Sequence, residues 1–234
     1  MRKLKSVIVC IALATISIMA CKEAKKDNSQ SDGATEAELS APTPSVEDTK
    51  KEETKVLNAN LATEEELSTI GLPAQTVTQL LEKRPFLSMG AFDTFLGEEV
   101  DKTELYKKVF VPFNLNTTPE SDFKIIPGVG DRMAHEFEEY RPYISMAQFR
   151  REIGKYVDEE EIARYESYVF VPIELNSASE EIIKELPGVG NRMAHEFEEY
   201  RPYTNMAQFR KEIGKYVDDQ ELARLERLVY LRAE

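Results

Sequence analysis

Two stretches place backbone donors and charge where they could hold an anion. Residues 126–143 read IPGVGDRMAHEFEEYRPY, and residues 186–203 read LPGVGNRMAHEFEEYRPY. In each, a proline ends one helical pattern and two glycines frame a turn before the next. Those glycines, Gly128 and Gly130 in the first stretch and Gly188 and Gly190 in the second, permit positive φ and close approach of another backbone. The turn leaves the first amides of the following helix without intrahelical partners, where the helix dipole favours a negative group. A phosphate would fit there, and so would a carboxylate. The stretches differ just after the second glycine, with Asp131 in one and Asn191 in the other. Asp131 can cap its own helix and supply the negative charge itself. The later stretch is therefore expected to be the better phosphate seat. An earlier turn, Gly71-Leu72-Pro73, loses a donor amide to its proline and is expected to be structural.

Other chemistry is sparse. His135 and His195 are the only histidines, each in AHEFEE with Glu139 or Glu199 four residues on. Two ligands do not make a metal site, and the pattern is not His-Glu-x-x-His. No nucleophile–base pair and no G-x-x-x-x-G-K loop stands out. The expectation is a binding protein rather than an enzyme, with no catalytic residue, no cofactor, no metal and no small-molecule substrate.

Charge bears on which anion could be held. The net charge is −13, whereas non-specific affinity for nucleic acid comes chiefly from Lys and Arg. Residues 175–234 carry nine Lys/Arg against twelve Asp/Glu, a net of −3, and residues 115–174 seven against thirteen, a net of −6. Neither has the basic excess of a typical nucleic-acid module. Local clusters nonetheless exist: Arg150, Arg151 and Lys155, then Arg210, Lys211 and Lys215, where the earlier part of the chain has Asp93 and Glu98. These cations either flank the glycine turns or pair with Glu152 and Glu212 on exposed helices.

The elements that must position these groups recur. LNTTPES (115–121) and LNSASEE (175–181) open two units offset by sixty residues, and RMAHEFEEYRPY returns unchanged. SMAQFRREIGKYVD (145–158) is answered by NMAQFRKEIGKYVD (205–218). An older, shorter copy precedes them, with LN at 57, KRPFLSMGAF at 83–92 and VFVPF at 109. Four short helices are expected per unit. In the third, Ser177/Glu180, Asn205/Gln208 and Asp218/Glu221 read as N-terminal caps, as do Thr117/Glu120, Ser145/Gln148 and Asp158/Glu161 in the second. Apolar positions recur at helical spacing: Ile182, Ile183, Leu186; Met193, Ala194, Phe197, Tyr200; Met206, Phe209, Ile213; and Leu222, Leu225, Leu228. VFVPF and VFVPI read as short extended connectors. The predicted fold class is mainly α: tandem repeats of about sixty residues, each small enough to lean on its neighbours for a core.

Ahead of the repeats stand MRKLK, an apolar run of about fifteen residues, and IMAC ending at Cys21. The run is too short to span a bilayer comfortably. This segment resembles the signal peptide and lipobox of bacterial lipoproteins, which implies cleavage before Cys21 and its acylation. Cys10 would be discarded, leaving no disulfide within a chain. Lys22 after the cysteine implies, by the same resemblance, an outer-membrane lipoprotein of a Gram-negative cell envelope, periplasmic or surface-exposed. Residues 22–56, rich in Lys, Glu, Ser, Thr and Pro, cannot bury enough apolar surface to offset their ordering entropy. They read as a tether with an end-to-end span of roughly 30 Å. The expected organisation is thus signal peptide 1–20, lipidated cysteine and tether 21–56, a degenerate unit 57–114, and units 115–174 and 175–234.

LPGVG-x-x-x-A-x-x-F-x-x-YR, with Ala194, Phe197, Tyr200 and Arg201, is similar to the helix-hairpin-helix motif. The longer LN-x-A-x-x-E-x-x-x-x-LPGVG pattern resembles modules of ComEA-type competence proteins. F-x-x-x-I-G, Phe209 to Gly214, looks like the second, degraded hairpin of such a module. The resemblance spans nearly all of units two and three, and mainly the second half of unit one. It implies two hairpins per unit and sequence-independent binding of duplex DNA through hairpin amides and nearby cations. Here those would be Gly188, Val189, Gly190, Asn191, Arg192, Arg210, Lys211 and Lys215, with Gly128, Val129, Gly130, Arg132, Arg150, Arg151 and Lys155. Other relatives with this fold serve as structural modules. The alternative expectation is therefore a non-enzymatic scaffold of the cell envelope that presents an acidic face to a protein partner. The acidic charge and the tyrosines near helix ends, Tyr140, Tyr143, Tyr200 and Tyr203, favour that alternative.

Overall fold

The computed structural model describes residues 55–232. The expected signal peptide, Cys21 and nearly all of the tether lie outside the described residues. Within them the chain is mainly helical, and one order of elements occurs three times. First come β1 (Leu57–Asn58), α1 (Glu64–Thr69), α2 (Ala74–Lys83), α3 (Met89–Leu96), α4 (Lys102–Leu105) and β2 (Val109–Phe110). Next are β3 (Phe113–Asn114), α5 (Glu120–Phe123), α6 (Asp131–Glu139), α7 (Met146–Ile153), α8 (Glu159–Glu166) and β4 (Val169–Phe170). Last are β5 (Ile173–Glu174), α9 (Glu180–Lys184), α10 (Asn191–Glu199), α11 (Met206–Ile213), α12 (Asp219–Glu226) and β6 (Val229–Tyr230). Among the described residues no helix is long and apolar enough to cross a membrane.

The helices start where short polar side chains can take up their orphan amides. Ser145 accepts from Gln148 N–H, Asp158 from Glu161, Asn205 from Gln208 and Asp218 from Glu221, as their spacing predicts. Two expected caps are not used. Ser179 rather than Ser177 caps α9, because the Ser177 hydroxyl donates to Glu174 Oε2 at 2.6 Å. At α5 the capping position is Pro119, which offers no side-chain acceptor, and Thr117 does not cap. Thr63 and Glu66 form a full capping box on α1.

The extended connectors close each segment on itself. β1 pairs with β2, β3 with β4 and β5 with β6, always parallel, with Leu57 opposite Val109, Phe113 opposite Val169 and Ile173 opposite Val229. The closures therefore begin at Phe113 and Ile173, two residues before the LN openings read from the sequence. An asparagine pins each opening to the helical hairpin. The Asn116 side chain donates to Tyr143 C=O at 2.8 Å and accepts from Tyr143 N–H at 2.7 Å. Asn176 does the same with Tyr203 at 2.9 and 2.7 Å. In the first segment this role falls to Asn60 on Phe86, not to the Asn58 of the expected LN; Asn58 accepts from Asn60 N–H instead.

Apolar faces then meet. One core runs through the first two segments and includes Leu67, Leu80, Phe92, Phe110, Phe123, Phe137 and Phe149. Its rings meet mostly edge to face, as in Phe123–Phe137 at 5.3 Å and Phe137–Phe149 at 5.4 Å. A second core gathers Ile183, Leu186, Ala194, Phe197, Phe209, Ile213, Leu225 and Leu228, the members that the 3.6-residue spacing selects.

Candidate functional site

The two PGVG turns hold the predicted geometry at their first glycines. Gly128 has φ +82° and Gly188 φ +72°, the left-handed region that side chains avoid. All four glycines, Gly128, Gly130, Gly188 and Gly190, are exposed. Val129 and Val189 point inward and are buried. Their N–H groups donate to Ile126 and Leu186 C=O at 3.0 and 3.1 Å, so the turn itself uses these two donors. Gly130 and Gly190 occupy the capping positions of α6 and α10, and no side chain caps either helix.

Asp131 does not cap α6, contrary to the reading of its sequence position. It is the first helical residue, and its Oδ1 lies 2.5 Å from Lys124 Nζ. The bond from Lys124 holds the Asp131 carboxyl below its usual range. In the third segment Asn191 offers no such partner, and the corresponding Lys184 turns to Glu180 at 2.6 Å.

The expected cations divide into two groups. Arg132 and Lys155 are brought together over a tyrosine pair: Arg132 lies 5.7 Å from the Tyr156 ring centroid and Lys155 Nζ 4.7 Å from that of Tyr140. The two tyrosine hydroxyls are 2.7 Å apart. Arg192 and Lys215 repeat this over Tyr216 and Tyr200 at 5.8 and 4.8 Å. Such stacking fixes the position of each cation. Arg150 and Arg210 turn away, to Glu166 and Glu226 on α8 and α12. Glu152 binds both Arg151 and Lys155, and Glu212 both Lys211 and Lys215. These contacts pull both carboxyls below the ordinary range and raise Lys155 and Lys215.

The second expected hairpin has a different geometry. Gly154 and Gly214 have φ of −61°, in the right-handed region, rather than a positive value. A Cβ at either would stand 2.6 Å from Arg150 or Arg210 C=O, and 3.1 or 3.4 Å from Ile162 or Leu222. Glycine is needed there because a Cβ would strike the carbonyl one turn back in α7 or α11, with Ile162 or Leu222 packed behind it, and not for a left-handed turn.

Two further arginines stand beside the turns. Arg164 Nη2 lies 3.0 Å from the position a Cβ on Gly128 would take, and Arg224 Nη2 lies 2.9 Å from that on Gly188. Arg164 donates to both carboxylate oxygens of Glu161 at 2.6 Å. The sequence signal is slight, an Arg three residues after Glu161 or Glu221; only the packing of α8 and α12 beneath the turns reveals their place. The first segment has Glu104 in the matching position.

Both histidines stay on the surface, His135 within 3.4 Å of Glu120 and 3.7 Å of Glu139, His195 within 3.8 Å of Glu199. Among the described residues no group of three or more His, Cys, Asp or Glu is placed to hold a metal ion. No family model, curated protein or solved structure matches this chain.

Proposed function

We propose that the chain is a membrane-anchored lipoprotein that grips the backbone of duplex DNA without reading its sequence, in the manner of DNA-uptake proteins. On this reading residues 57–234 form three tandem units of about sixty residues, each a double helix-hairpin-helix, the first degenerate. Acylated Cys21 moors the tether in the outer membrane of a Gram-negative envelope. The protein is a binder, not an enzyme, and needs no cofactor.

One observation carries the reading. Two uncapped hairpins with exposed, positive-φ glycines open helices whose first arginine, Arg132 or Arg192, is held over a tyrosine beside Lys155 or Lys215. Uncapped amides and a positioned cation suit a phosphodiester, whose recognition needs charge and donors but no base contact. Arg150, Arg151, Arg210 and Lys211 supply a second rank of cations, each held by a glutamate that a phosphate would have to displace.

Retention of duplex by the delipidated chain in a filter assay tests the reading. Binding is expected at low salt, to fall steeply as salt rises, and to be lost in the Arg150→Glu, Lys155→Glu double variant. No retention at low salt defeats it.

A specific observation favours a second reading, a scaffold that meets an envelope protein. The lateral cations are already matched by Glu152, Glu166, Glu212 and Glu226, on a chain of net charge −13. Recovery of only background proteins with the tagged lipoprotein from membranes would count against it.

A further inference from the structure

The second and third units have the same residues around their hairpins, yet they do not have the same surroundings. At Gly128 the three atoms nearest to an added Cβ belong to Arg164 and Glu161, of the same segment. At Gly188 two of the three belong to Leu61, far earlier in the chain: its Cδ2 is 2.7 Å and its Cδ1 3.1 Å from that position. The opening of the first segment therefore lies against the last hairpin.

The arginines beside the turns register the same difference. The Arg164 side chain keeps 31% of its surface exposed; that of Arg224 keeps 4%. Arg224 also donates to Pro187 C=O at 2.5 Å, within the hairpin. Asn58, Asn60 and Pro112 face Pro187, Arg224 and Arg227 across a crevice of about 10 Å³, room for no more than a single water. Arg227 closes the far side, donating to Pro112 C=O at 2.9 Å, and burial pulls its pKa down to about 10.

The second hairpin faces open space instead. Gly128, Val129 and Gly130 line a cleft of about 570 Å³ opposite Lys102, Thr103 and Tyr106 of the first segment. Lys124 lines the same cleft.

We infer that the first segment decides which hairpin a duplex can reach: its Leu61 crowds Gly188 of the third unit, although that turn stays open to water, and leaves the second unit's Gly128 clear. For the ligand this rests on the nucleic-acid reading above; the Leu61–Gly188 contact does not. It inverts the order expected from sequence, where Asn191 made the third unit the better seat. A rod as wide as a duplex is excluded from Gly188 by a side chain built against it, a steric selection rather than a loss of donors.

Paramagnetic relaxation of the full chain by a soluble nitroxide tests the contact without DNA. Gly188 should be broadened less than half as much as Gly128 in the natural sequence, and equally in Leu61→Ala. Leu61 is 39% exposed, so its truncation leaves the cores intact. Equal broadening in the natural sequence overturns the inference, as does shielding of Gly188 that persists in the variant. Titration with a ten-base-pair duplex at low salt should then give one duplex per chain, rising to two in Leu61→Ala. Two per natural chain also overturns it. Absence of binding by both chains would defeat the nucleic-acid reading, while the relaxation data still decide whether Leu61 covers Gly188.

Discussion

At the scale of single residues, the chain repeats small solutions whose failure is measurable. Asn116 and Asn176 each satisfy both backbone groups of a tyrosine at a cis-proline bend. Asn176→Ala leaves the Tyr203 N–H and C=O unpaired in a half-buried site. It should destabilise the fold by roughly 2 kcal/mol in urea denaturation, since orphaned buried polar groups cost about 1–3 kcal/mol. Gly154→Ala puts a methyl 2.6 Å from Arg150 C=O in the last turn of α7 itself and 3.1 Å from Ile162 of α8, so the end of α7 must distort. A loss of about 1–3 kcal/mol is expected, as for other overpacked sites, with no gain from the added helix propensity. An unchanged midpoint would mean that the glycine is not required by packing.

At the scale of elements, the caps and apolar stripes of α7, α8, α11 and α12 were legible because they depend on residues three or four apart. Ser145, Asp158, Asn205 and Asp218 cap where their spacing says. What was not legible depends on neighbours distant in sequence. Asn60 takes the pinning role through Phe86, 26 residues further along the chain. Arg164 and Arg224 come beneath the glycine turns through tertiary packing alone. The Phe-x-x-x-Ile-Gly pattern looked like a hairpin, but φ at that glycine is negative, a property no spacing encodes.

The same helices carry a pH dependence. Glu152, Glu161 and Glu212 are held below the ordinary range by Lys155, Arg164 and Lys215 respectively. A carboxylate whose folded pKa is depressed stabilises the fold above its unfolded value, near 4.3, and loses that contribution as pH falls through the folded value. Thermal stability should thus drop progressively below about pH 4.3. Glu161→Gln should flatten that drop, and a variant as acid-sensitive as the parent would remove Glu161 from the account.

At the scale of the whole molecule, an acidic chain can still grip an acidic polymer if its few placed cations and amides outweigh the mean field at short range. Salt decides that balance, because distant repulsion and local attraction are both screened beyond roughly 10 Å at 0.1 M. Replacing Asp131 with Asn frees Lys124 from its carboxylate and removes a negative charge at the mouth of α6. Duplex affinity should rise about tenfold at low salt, roughly 1.4 kcal/mol, and the gain should shrink as salt increases. An unchanged affinity would place the duplex away from this hairpin.

The most direct measurement is a titration of the isotope-labelled, delipidated chain with a short duplex at low salt, followed through its backbone amides. The account predicts shifts concentrated at Gly128 to Arg132 and at Lys155, reversed by added salt. Amides that stay still at that turn while the acidic helices α8 or α12 respond, or no response at all, would contradict it.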